Sequence, residues 1–333
     1  MALDVKVKID LTKPIGKLGL GVPLILEESA TKAIAYTECG SLAEVVEAGF
    51  ATTTNVYKTA NTLFMQDNPP STIAVCATTD TTVNWLADVA NTGKDWRQLM
   101  VVSESSVNVS GIMTAIEALN NKMYFANLET TDTTTLNVSG IKRTVLFYCD
   151  ATTEHPTTSS ALVGATAGLD VGSFTYKNMI LKGITPQDLS DTEINAIHDK
   201  GGITFVTKAG DNVTSEGKTA GGEYIDIIDS QDYIISNIEY KTQTTLNAMP
   251  KVPYDNNGIA MLESVVVDVL RDAFNKGIIA INEDGSPAYS INFAKREDTD
   301  ASDRAVRKYL GGQFAFKLAG AIHEAEIVGE III

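Results

Sequence analysis

From about residue 22 to residue 210, short apolar runs alternate with amphipathic, helix-spaced runs, and few folds accommodate that order. The runs "GVPLILEE", "TIAVCA", "WRQLMVVS", "KMYFANLE", "TVLFYCD" and "GITFV" have the length and the β-branched or aromatic content of strands. Helices are expected between them at 41–50, at about 55–66 and in "TTVNWLADVANTG", "VSGIMTAIEALNN" and the small-residue run "TSSALVGATAGL". Ser41 is placed to cap the first and Gly49 to stop it, and Ser190 with Glu193 forms an S-x-x-E capping box at the head of a further helix. Strand–helix alternation of this kind predicts an α/β protein (mixed α+β in detail), with a mostly parallel or mixed sheet covered by helices.

A different composition sets in near residue 220. "EYIDIIDSQDYIISNIEYKTQTTLNAM" reads as a strand leading into a long helix. From about 258 to 275, Ile259, Leu262, Val266, Val269, Leu270 and Phe274 recur at helical spacing and predict one buried face. "SINFAKREDTDASDRAVRKYLGG" reads as a strand followed by a charged segment, and Phe314, Phe316 and Leu318 alternate in a closing strand. The first residues alternate too. Leu3, Val5, Val7, Ile9 and Leu11 point one way, Asp4, Lys6, Lys8 and Asp10 the other, before Pro14, Gly16, Gly19, Gly21 and Pro23 break the pattern. Four segments follow: an arm and hinge over 1–20, α/β segments over 21–95 and 96–215, and a C-terminal domain over 216–333 that ends in the apolar run "EAEIVGEIII". Unpaired strand-like ends invite pairing with another chain.

Charge narrows the function. Asp+Glu 42 against Lys+Arg 26 gives a formal charge of −16, which disfavours binding to nucleic acid or to an anionic membrane. No run of about 18 apolar residues is present, and the charged first residues do not read as a signal peptide. Cys39, Cys76 and Cys149 are odd in number and widely spaced, so buried thiols are expected rather than a disulfide framework. The three histidines read as structural: His155 in a loop, His198 near a helix end, His323 on a strand face. "TSEGKTAGGE" (214–223) lacks P-loop spacing and reads as a surface loop; "DTDASD" lacks the glycine and glutamate of a calcium loop. No nucleophile elbow or metal-ligand spacing appears, so no catalytic, cofactor or metal residue is assigned and a non-enzyme is expected.

The stretches "GITPQDLSDTEINAIHDKGGITFV", "GGEYIDIIDSQDYIISNI", "MPKVPYDNNGIAMLESVVVDVLRDAFNKGII" and "FKLAGAIHEAEIVGEIII" together resemble the C-terminal half of contractile-tail sheath proteins of bacteriophages and phage-tail-like bacteriocins. "SLAEVVEAGF" and "NVYKTANTLFMQDNPPSTIAVCA" are similar to the first α/β segment of that family. The resemblance implies a multi-domain sheath core without large protruding insertions, polymerised as stacked hexameric rings around an inner tail tube. It implies inter-subunit strand arms at Leu3, Val5, Val7, Ile9 and Leu11 and at Ala325, Ile327, Val328, Ile331, Ile332 and Ile333. A host strand is implied at Phe314, Phe316 and Leu318, and tube contact by a charged helix at Arg304, Arg307 and Lys308. The implied partners are further copies of the chain, the tube protein, and baseplate and tail-terminator proteins. The implied location is the virion tail, assembled in the bacterial cytoplasm and released on lysis. The residues leave two other readings open, another virion or baseplate component and an α/β enzyme without a recognisable motif.

Overall fold

The computed structural model describes residues 20–29, 31–80, 82–91, 94–103, 107–128, 136–150 and 157–323. Both proposed arms, Leu3 to Leu11 and Ala325 to Ile333, lie outside the described residues, as does His155.

The apolar runs become β1 (Val22–Glu28), β3 (Ile73–Thr78), β4 (Trp96–Ser103), β5 (Met123–Leu128), β6 (Thr144–Tyr148) and β7 (Gly202–Lys208). Two strands that the sequence reading missed, β2 (Ile34–Cys39) and β8 (Asp211–Thr214), complete one mixed sheet in the order β2-β3-β1-β4-β5-β6-β7-β8. The six interior strands run parallel, while β2 and β8 close the two edges antiparallel. A parallel sheet must be covered on both faces, and alternate side chains of β1 show how. Ile25 enters one core with helices α1 (Leu42–Glu47), α2 (Asn55–Phe64) and α5 (Thr158–Thr166). Leu24 and Leu26 enter the opposite core with α3 (Trp85–Asn91) and α4 (Val109–Leu119). Every residue of α5 is buried, which explains its small side chains: a Cβ on Gly164 would sit 2.3 Å from the carbonyl oxygen of Leu63 on α2.

The expected caps form. Ser41 accepts from the Glu44 N–H, and Ser190 and Glu193 close a capping box on α6 (Asp191–Asp199). Residues 225–248 correct the reading of a strand leading into a helix: they form one helix, α7 (Ile225–Ala248). The "IDII" stretch imitates strand alternation, but Ile225, Ile228, Ile235 and Ile238 sit at helical spacing and are buried. The stretch 214–223 corrects a second reading. Thr214 to Glu216, Thr219 and Ala220 are buried, and the Ala220 and Gly221 N–H groups donate to Thr144 and Ile141.

α7 passes from one core to another. Ile225 and Ile228 lie against the large sheet, whereas Ile234 and Ile238 join α8 (Asn256–Asn275) in a separate core. Buried ion pairs fix it there. Arg97 on β4 donates to Asp229 at 2.7 Å and to Asp232 at 2.6 Å; Arg143 grips both oxygens of Asp232 at 2.7 and 3.0 Å. The Tyr176 hydroxyl donates to the other oxygen of Asp229 at 2.7 Å. Burial would raise the Asp232 carboxyl, but Arg97 and Arg143 more than offset that and hold it below the usual range. Nearby, burial pushes the Lys122 ammonium down to about 8, and it bonds the Trp96 carbonyl oxygen with its charge over the Trp96 ring.

Removing one member of such a network strands the others. Asp232→Asn is expected to destabilise the protein by about 3–5 kcal/mol, read from the urea midpoint. Because the folded carboxyl titrates low, its contribution is complete above about pH 4 and is lost as pH falls through the folded value. The gap between variant and wild type should therefore close in acid.

Candidate assembly surface

Beyond α7 the chain builds a small module on α8. Asp255 caps that helix by accepting from the N–H groups of Asn257 and Gly258. Its inner face, Val266, Val269, Leu270 and Ala273, supports a two-stranded antiparallel sheet of β9 (Tyr289–Phe293) and β10 (Gly312–Phe316). Phe314 lies opposite Ile291 and Phe316 opposite Tyr289, so the alternation predicted for Phe314 and Phe316 turns both toward α8. Leu318 lies past the end of β10 and forms an isolated antiparallel bridge with Ile279. The opposite positions, Ser290, Asn292 and Ala315, face solvent. Among the described residues no third strand pairs with this sheet, so each strand keeps one row of backbone N–H and C=O groups unpaired by strand contacts.

Between β9 and β10 the chain makes a loop with one short helix, α9 (Ala301–Ala305), capped by Asp300. This corrects the expected charged helix. Only Arg304 of the three basic residues is helical; Val306 ends the helix, and Arg307 has a left-handed backbone at φ 59°. Arg304 is turned inward, where its guanidinium donates to Thr299 and to the Arg296 carbonyl oxygen. Arg307 and Lys308 are exposed, beside Val306 and Leu310, which are 69% and 60% exposed. An aromatic ladder holds the loop. Tyr309 stacks on Phe293 at 5.9 Å, meets Tyr254 edge-on at 6.1 Å, and donates to the Ala294 carbonyl at 2.9 Å. The rigid loop thus presents two cations and two large apolar side chains together. Spacing along the chain did not reveal this ladder, because Tyr254 and Tyr309 meet only through the packing of the loop on the start of α8.

After β10 the chain does not leave at once. The Lys317 N–H donates to the Ala288 carbonyl, its own carbonyl accepts from Ala280, and the Ala319 N–H donates to Ile278. His323 then departs from the expected strand face. It lies in no strand, and its Nε2 is 2.8 Å from the hydroxyl of Thr175 on the large-sheet body. His198 occupies its expected place in the last turn of α6, bonded to the Ser215 hydroxyl at 2.9 Å. The three cysteines are free and buried. Among the described residues no group of His, Cys, Asp and Glu could hold a metal ion, and no helix is long and apolar enough to cross a membrane.

Residues 225–331 match the family model of the E217 tail sheath protein gp31-like C-terminal domain. No curated protein matches the chain by sequence. Among solved structures, the chain is similar to a subunit of the anti-feeding prophage helical sheath in the contracted state, with a TM-score of 0.72 and 15% identity over 99% of this chain and 98% of that one. It is similar also to a chain of the anti-feeding prophage baseplate, at 0.71 and 14% over 100% and 99%. The sheath tail protein Lin1278 from Listeria innocua follows at 0.58 and 10% over 91% and 96%. The mixed sheet, its covering helices and the small module on α8 therefore compose the fold of contractile-sheath proteins, and the likeness extends along essentially the whole chain.

The left-handed residue after α9 is where glycine usually stands. Arg307→Gly is expected to relieve about 1 kcal/mol of backbone strain and raise the thermal midpoint, while removing one of the two exposed cations.

Proposed function

We propose that this chain is a structural subunit of a contractile tail sheath, stacking as six-membered rings around an inner tube and shortening to drive that tube through a cell envelope. The carrying observation is that a contracted helical sheath subunit matches this chain over nearly the full length of both. The match of residues 225–331 to a tail-sheath C-terminal domain supports the same reading independently.

The geometry suits the task. The small sheet on α8 has unpaired edges, and Phe314 and Phe316 hold β10 against the core. A strand from a neighbour would add backbone hydrogen bonds there at about 0.5–1.5 kcal/mol each. The alternating run Leu3, Val5, Val7, Ile9 and Leu11 is one donor. The run with Ala325, Ile327, Val328, Ile331, Ile332 and Ile333 is the other. Leu318, bridged to Ile279, closes the end of the host site. The exposed pair Arg307 and Lys308, braced by the inward Arg304, is the proposed contact to the inner tube. Baseplate and terminator proteins would meet the two ends of the stack. Such a machine makes and breaks no covalent bonds. Contraction releases free energy as rigid subunits rotate and bury more surface, from an extended state held by a barrier. Assembly in the bacterial cytoplasm and release by lysis complete this reading. A place within a baseplate is the second reading, favoured by the match to a baseplate chain.

Negative-stain microscopy of the purified protein should show tubes or stacked rings. Removing residues 1–12 or 325–333 should abolish them while leaving circular dichroism and the thermal midpoint of the subunit near wild type. Small closed oligomers that never elongate would support the baseplate reading, and a monodisperse monomer at high concentration would overturn both.

A further inference from the structure

The chain from β10 to His323 crosses from the small module to the large-sheet body, and it is tied at both ends. At its start, residues 317–319 are zipped to 278–280 and 288 by three backbone hydrogen bonds, and the Ala288 N–H in turn donates to the Ala280 carbonyl. The segment they pair with is seated tightly. Gly172 has φ +90°, and a Cβ there would lie 2.5 Å from Ile278 and 2.7 Å from the Lys276 carbonyl oxygen. At its end, Ile322 is 90% exposed while the next side chain, His323, turns in and is only 11% exposed. Three separate pieces of the body receive that imidazole. Thr175 bonds its Nε2 at 2.8 Å, the Tyr224 ring meets it edge-on at 4.9 Å, and Glu216 places a carboxylate oxygen 3.8 Å from its Nδ1.

We propose that residues 317–323 are a fixed strap and that His323 is its anchor, so that the C-terminal arm proposed above starts at residue 324 and takes its exit point and direction from the large-sheet body. The inference rests on the sheath reading only for the use of the arm; the strap itself is a property of the single subunit. A buried imidazole with one nitrogen bonded and the other facing a carboxylate is a specific receptor rather than a surface contact. Glu216 is itself a prepared anchor: burial would raise its carboxyl, but the Gly217 N–H together with Lys177 and Lys218 holds it low and charged. Lys218 also lies over the Tyr224 ring, 4.9 Å from its centroid. With its root fixed, a strand exchanged between subunits transmits the rotation of the body instead of absorbing it in slack chain.

Hydrogen exchange on the full-length chain tests the strap before any polymer forms. In the wild type the amides of Lys317 and Ala319 should be protected. In His323→Ala and in Thr175→Val, exchange at Ala319 should rise roughly tenfold with the core amides unchanged, and His323→Gln, whose amide can donate to or accept from Thr175, should recover much of the protection. Tubes assembled from His323→Ala should be shorter or lose regular rings. Unchanged exchange in His323→Ala would overturn the strap, whatever the state of assembly. Wild-type protein that shows the protection but never forms tubes would overturn the sheath reading and leave the strap standing.

Discussion

The fold hangs on the pairing of two arginines of the large sheet with two aspartates of α7. Arg97 lies on β4 and Arg143 immediately before β6, the two strands that flank β5, and Asp229 and Asp232 lie one turn apart on the helix, so four charges close over a single buried point. Buried charges tolerate little misplacement, because each loses its water and must recover that free energy from partners in fixed geometry. The helix can therefore occupy one rotation and one height on the sheet. Everything beyond it inherits that registration: α8, the two-stranded sheet, the loop with its exposed cations, and the strap that returns to Thr175. A body joined in this way suits the rigid rotation of subunits proposed for the sheath.

In the proposed sheath, an acidic subunit has to overcome repulsion between copies. At −16 per copy, stacking many copies is opposed by long-range charge, and the attraction must come from short-range contacts. The candidate assembly surface would meet that need. It offers backbone hydrogen-bonding groups along open strand edges, which carry no net charge, and a compact group of Arg307, Lys308, Val306 and Leu310 held by aromatic stacking. Neither depends on the average charge of the surface.

Much of this could be read from the residues alone, and the failures have physical causes. The six interior strands were visible because burial on both faces leaves continuous apolar runs, and α1 and α6 were visible because their capping residues stand at fixed offsets. The edge strands β2 and β8 were missed because edges are half solvated and short, so their composition looks like loop. The start of α7 reads as a strand because isoleucines interleaved with aspartates fit both periods, and only the distant arginines decide between them. The acidic residues at helical spacing in an otherwise apolar stretch were the available signal for the ion network. The packing of Tyr254, Phe293 and Tyr309, and the burial of His323, depend on contacts between segments far apart in sequence. The resemblance to sheath proteins rests on the order of elements, and solved sheath structures share the fold over nearly the whole chain.

The two antiparallel strands that end the large sheet bear on how copies choose one another. β8 spans only Asp211–Thr214 and opens on two exposed polar residues; β2 exposes Thr37 and Glu38 and shifts register between Ile34 and Thr37. Short, kinked or charged borders are poor docks for a foreign ribbon. In the proposed sheath, both borders of the large sheet would thus turn a neighbour's arm away and leave the open edges of the small sheet on α8 as the place to pair.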